Sequence, residues 1–121
     1  MLPLVAAGPV LIFFLGMGLV ALAAPETISR TFGTIKLTPD GRNEVRAVYG
    51  GFGLAVAAML ACGLYNPGVR DGIFLTVAGS LAGMAAGRFV AAAIEPPSTF
   101  YPSWLYCGVE LTMAGMLWFA S

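Results

Sequence analysis

The stretch LPLVAAGPVLIFFLGMGLVALAA, Leu2 to Ala24, contains no charged residue. A helix needs roughly 17–25 predominantly apolar residues to cross ~30 Å of hydrocarbon, and this stretch is long enough without interruption. Its end, ALAAPE, places Ala21 and Ala23 where a signal peptidase would cut. No basic segment precedes it, however, and the run exceeds the ~7–15 residues of a signal h-region. The expectation is a retained helix, with Pro3 and Pro9 near its start and Pro25 closing it.

Three further apolar runs lie downstream. Ala47 to Tyr65 ends at Asn66-Pro67-Gly68. Ile73 to Ile94 is interrupted only by Arg88 and closed by Glu95-Pro96-Pro97, and Trp104 to Phe119 is interrupted only by Glu110. With flanking residues, helices are expected near 2–24, 43–65, 71–94 and 102–120. Backbone in lipid must satisfy its own hydrogen bonds, so helices are the economical spans. The expected fold is all-α: one transmembrane domain over residues 1–121, an integral membrane four-helix antiparallel bundle.

Composition agrees with that class. Hydrophobic residues make up 59% of the chain and charged residues 10%, against about 25% charged in a soluble domain. The mean hydropathy is +0.87. Six basic residues balance six acidic ones, so no nucleic-acid partner is expected. With no histidine, the commonest metal ligand and general base are missing, and neither a metal nor a cofactor is expected. Cys62 lies ~28 Å along its helix from Asn43 and Cys107 only ~6 Å along the last one from Ser103, too far apart in level for a disulfide.

The only long connection runs over residues 25–42. Thr27 to Phe32 is expected as a short interfacial helix, with Ile28 and Phe32 toward lipid, Arg30 toward water and Gly33 ending it. Thr38-Pro39-Asp40-Gly41 reads as a turn, and Asn43 as the N-cap of the second span, with Glu44 at the positive end of its dipole. This side holds Arg30, Lys36 and Arg42 against Arg70 on the other, which points the long connection toward the cytoplasm.

Small residues recur inside the spans: Gly53, Ala57 and Ala61 in the second, Gly79, Gly83 and Gly87 in the third. Such rows let helices approach closely in lipid. Packing within the bundle is the expected role, and a dimerisation seam the other reading.

The charges inside the spans are the candidate site. Counting 1.5 Å per residue puts Arg46 ~5 Å and Tyr49 ~9 Å beyond Asn43, Arg88 ~10 Å back from Glu95 and Glu110 ~10 Å in from Ser103. All fall on the side of the long connection, with Arg88 and Glu110 at one level. A charge in hydrocarbon costs roughly 2.5–3.5 kcal/mol unless it reaches water or a partner. Glu110 is short and two turns deep, so an arginine is expected beside it, Arg88 first and Arg46 otherwise. Glu44, Arg46, Tyr49, Arg88, Tyr106 and Glu110 are expected to line one polar pocket. The alternative is a set of charges that only fixes helix register.

The run NEVRAVYGG, Asn43 to Gly51, followed by a small-residue helix, resembles the bacterial membrane family called domain of unknown function 4345. The segments AAGRFVAAAIE around Arg88 and GVELTMAG around Glu110 fit the same pattern. The chain is also distantly similar to DoxX-like four-helix membrane proteins, some of which are accessory subunits of membrane redox complexes. The redox cysteine patterns of such relatives are absent from this sequence. The resemblance implies a bacterial inner-membrane location and adds weight to Glu44, Arg46, Arg88 and Glu110, but it supplies no activity.

Two functions follow as expectations. The first is a non-enzymatic accessory or structural subunit, embedded in the lipid bilayer and packed in a larger membrane complex or homo-oligomer. The second is a small enzyme or binder of a lipophilic ligand such as a quinone, isoprenoid or sterol-like lipid, using the Glu/Arg/Tyr pocket. No catalytic residue is assigned.

Overall fold

The computed structural model describes residues 1–33 and 36–121. Among the described residues the fold is all-α, with no strand. Its helices are α1 (Leu2–Ala23), α2 (Pro25–Thr31), α3 (Pro39–Tyr65), α4 (Pro67–Ile94) and α5 (Ser103–Ala120). Of these, α1, α3 and α4 are long and apolar enough to cross a membrane. The 18-residue α5 falls outside that set, because Glu110, Tyr106 and two tryptophans lower its hydropathy.

Local chemistry fixes the helix starts. Thr38 accepts a hydrogen bond from Gly41 N at 3.0 Å, which makes it the N-cap of α3 with Pro39 at the first helical position. The helix therefore begins upstream of the expected Asn43 cap, and the turn expected over Thr38–Gly41 is its first turn. Asn66 accepts from Gly68 N at 3.1 Å and caps α4 in the same way, so α3 and α4 are joined through one residue. Gly33, at φ 95°, follows α2 in the left-handed conformation that glycine tolerates.

The helix α3 is not uniform. Arg46–Gly51 forms a π-helical turn inside it, in which Phe52 N bonds back to Ala47 O. One extra residue in a helix rotates what precedes it by about 100° relative to a regular α-helix. This turn carries the Arg-Ala-Val-Tyr-Gly-Gly part of the distinctive sequence segment.

Each long helix packs on two others: α1 on α3 and α5, and α4 on α3 and α5. Val10, Leu60, Phe74, Leu81 and Leu117 are fully buried where they meet. The α1–α3 seam is a backbone contact. A Cβ placed on Gly18 would lie 2.9 Å from both Gly50 O and Leu54 N, and one on Gly53 would lie 3.0 Å from Phe14 O. Ala57 is buried on the same side of α3, with Ala61 half-buried.

The row on α4 behaves oppositely. Gly79, Gly83 and Gly87 are exposed, and a Cβ at any of them would meet nothing within 4 Å. This corrects the expectation that they pack inside the chain. The reason is that α4 presents Phe74, Val77, Ala78, Leu81 and Ala85 inward, which turns the glycine row to the opposite face.

Candidate functional site

Arg88 and Glu110 face one another across α4 and α5. Arg88 Nε donates to Glu110 Oε1 at 2.8 Å and Nη2 donates to Oε2 at 2.9 Å, a two-pronged contact. Glu110 is only 3% exposed. Planar guanidinium and carboxylate groups match in this geometry, so the contact fixes both distance and rotation between the two helices.

Two aromatic rings complete the cluster. The Arg88 Cζ lies 5.8 Å from the Phe32 ring centre and 6.0 Å from that of Tyr106. The rings themselves are 5.8 Å apart, so the cation is capped by an aromatic pair. Tyr106 stands one turn before Glu110 and therefore shares its face. Phe32 comes from the long connection, just after α2. It was expected to face lipid, but its ring covers Arg88; nothing in its local sequence distinguishes these roles, since the contact is made through tertiary folding.

Not every expected member joins. The structure brings Arg88, Tyr106 and Glu110 together, whereas Tyr49 is half-buried and lines the groove described below. Glu44 is exposed and Arg46 is directed elsewhere: its Nε donates to Leu22 O at 3.1 Å. Leu22 lies in the last turn of α1, where carbonyls lack partners within the helix, so Arg46 caps that helix. Arg70 does the same at the other end of α3, with Nε on Gly63 O and Nη2 on Leu64 O, both at 2.9 Å. Arg42 bonds Leu37 O at 2.8 Å and pairs with Glu26 at 3.5 Å. Cys62 is exposed, Cys107 is buried, and both are free.

A groove of about 980 Å³ runs along the α3–α4 side of the molecule. Phe14 and Met17 of α1 also line it, and it extends from Met59 and Gly72 to Ala47 and Met84. Twelve residues separate the ends on either wall, so its length is about 18 Å. Phe52, Met59 and Met84 are exposed although they line it, which shows that the groove is open along its side.

These features define an all-helical protein with three span-length apolar helices and a single buried, doubly hydrogen-bonded ion pair among the described residues. The chain belongs to the family described as Domain of unknown function (DUF4345), whose sequence pattern matches residues 4–121. No curated protein and no solved structure matches it.

Proposed function

We propose that this chain is an integral membrane four-helix antiparallel bundle that binds an elongated lipophilic molecule, of the quinone, isoprenoid or sterol-like kind, in the groove beside α3 and α4. The observation that carries the reading is the groove itself. About 980 Å³ lies at the upper end of the 300–1,000 Å³ common for ligand sites, and its walls are apolar except for a few hydroxyls such as those of Tyr49 and Ser80. Membrane placement is supported by the outward surface. Ile12, Val90, Ile94 and Phe119 are all more than 60% exposed, a poor surface for water and a good one for acyl chains. The bacterial inner membrane suits the family resemblance. Arg30, Lys36 and Arg42 favour a cytoplasmic side for the 25–42 connection, of which Thr34 and Ile35 lie outside the described residues. With both Glu110 oxygens held by Arg88, this carboxylate serves as a counter-ion rather than a proton shuttle.

The test is purification from native membranes in mild detergent, followed by mass spectrometry of what accompanies the protein. A stoichiometric small lipid is expected, and Ala55→Phe, which places a ring in the groove, should reduce its occupancy. Wild-type protein with no such lipid would sink the reading.

One observation favours a second reading, an accessory subunit packed in a larger complex or homo-oligomer. The outward Gly79, Gly83 and Gly87 row leaves α4 open to close approach by another helix. A stoichiometric protein partner cross-linked through a cysteine introduced at position 83 would support it.

A further inference from the structure

A second cavity, of about 440 Å³, lies between the end of α4 and the start of α5 and shares no lining residue with the groove. Arg88, Glu95, Ser98, Ser103 and Trp104 are among its walls. Two of the three guanidinium nitrogens of Arg88 are held by Glu110. The third, Nη1, has no acceptor among the described residues.

The charge balance of this cavity is specific. The Arg88 cation is already offset by Glu110, whereas the exposed Glu95 carboxylate has no ion-pair partner among the described residues. Pro96 and Pro97 bring no backbone N–H. The lining residues able to donate are instead Arg88, Ser98, Ser103 and Trp104. Ser103 is the first residue of α5, so the positive end of that helix adds to the donor side. The lining thus combines hydrogen-bond donors without an uncompensated cation and one lone anion. A simple anion would be repelled by Glu95, and a simple cation would leave the donors unmatched. A zwitterion answers both.

We infer that this cavity binds a phosphoethanolamine group, the phosphate on Arg88, Ser98 and Ser103 and the ammonium on Glu95. Trp104, packed on Phe89 with ring centres 5.4 Å apart, is the kind of residue found at head-group level, which fits a phospholipid as the source. The inference rests on the membrane placement proposed above and is independent of any ligand in the groove.

The experiment titrates the purified full chain, in non-ionic detergent, with short-chain phosphatidylethanolamine, matched phosphatidylglycerol and free O-phosphoethanolamine, read by native mass spectrometry. Phosphatidylethanolamine should bind about two- to fivefold more tightly than phosphatidylglycerol, the range of a solvent-accessible ion pair. Glu95→Gln, at an exposed residue, should keep the wild-type melting temperature and lose that preference. The Ser98→Ala/Ser103→Ala double variant should weaken both lipids. Competition by O-phosphoethanolamine at similar concentration would assign the site to the soluble group, and its failure to compete would assign it to the lipid. Equal binding of the two lipids by the wild type, or a preference surviving Glu95→Gln, overturns the inference. Carbonate extraction of the chain from its membrane tests the placement separately: release into the soluble fraction would remove the lipid source while leaving the O-phosphoethanolamine titration readable.

Discussion

The α1–α3 seam and the α4–α5 seam hold two helix pairs by opposite means. Along α1–α3, Gly18, Gly50 and Gly53 remove side chains so that backbones touch. Along α4–α5, Arg88 and Glu110 reach across and lock at 2.8 and 2.9 Å. The first seam depends chiefly on shape, with Arg46 capping Leu22 O at one end, and has little room for added atoms. The second depends on matched charge and tolerates no lone partner. The two pairs meet at α1–α5 and at α3–α4; on the α3–α4 side Gly63 and Arg70 close one end, and the groove opens beyond them.

The largest expected effect falls on the charged seam. Glu110→Ala leaves Arg88 without its counter-charge and should cost about 3–5 kcal/mol, whereas Arg88→Met/Glu110→Leu together should cost less than Glu110→Ala alone. Thermal unfolding in detergent measures both; losses that simply add would remove the pairing from the account of this seam.

Next comes the glycine seam. Gly18→Ala puts a methyl group 2.9 Å from backbone atoms and should cost about 1–3 kcal/mol through forced separation of the helices. An unchanged melting temperature would mean that α1 and α3 do not touch in this way.

A smaller effect is expected at the aromatic cap. Phe32→Leu keeps an apolar side chain but removes the ring above Arg88, for a loss of about 0.5–1 kcal/mol. Paired with Arg88→Met in a double-mutant cycle, the loss should vanish, and a loss that persists would show that Phe32 acts only by packing.

The smallest effect sharpens the contrast between the two glycine sets. Gly83→Ala enters open space and should leave the melting temperature of the purified chain within about 0.5 kcal/mol of wild type. The same substitution reducing cross-linking through a cysteine introduced at position 79 in native membranes would give the outward row a partner.

Depth was legible in the sequence, and direction was not. Run lengths and 1.5 Å per residue put Arg88 and Glu110 at one level, and the punctuation around Pro25, Asn66-Pro67 and Pro96-Pro97 marked where helices stop or begin. Which face of each helix meets a neighbour was hidden, because in these spans both faces are apolar and periodicity carries little information. The glycine row on α4 was misplaced for that reason. Arg46 left the expected pocket for a second reason: the π-helical turn rotates it, and the free carbonyl of Leu22 stands within its reach. Phe32 could not have been assigned to the site at all, since α2 and the long connection deliver it from a distant part of the chain.

The side opening of the groove has a consequence for how its occupant would be found. In the proposed setting a molecule reaches Phe52, Met59 and Met84 by drifting within the plane of the bilayer, never crossing water. What governs occupancy is then its mole fraction among neighbouring lipids, not its aqueous molarity. A partner making up a small share of the bilayer would already be locally abundant. Contacts only slightly better than those of ordinary acyl chains would suffice, and exchange would be rapid. Strong selectivity would instead have to come from the few polar side chains along it, Tyr49, Thr76 and Ser80, to which an acyl chain has nothing to offer.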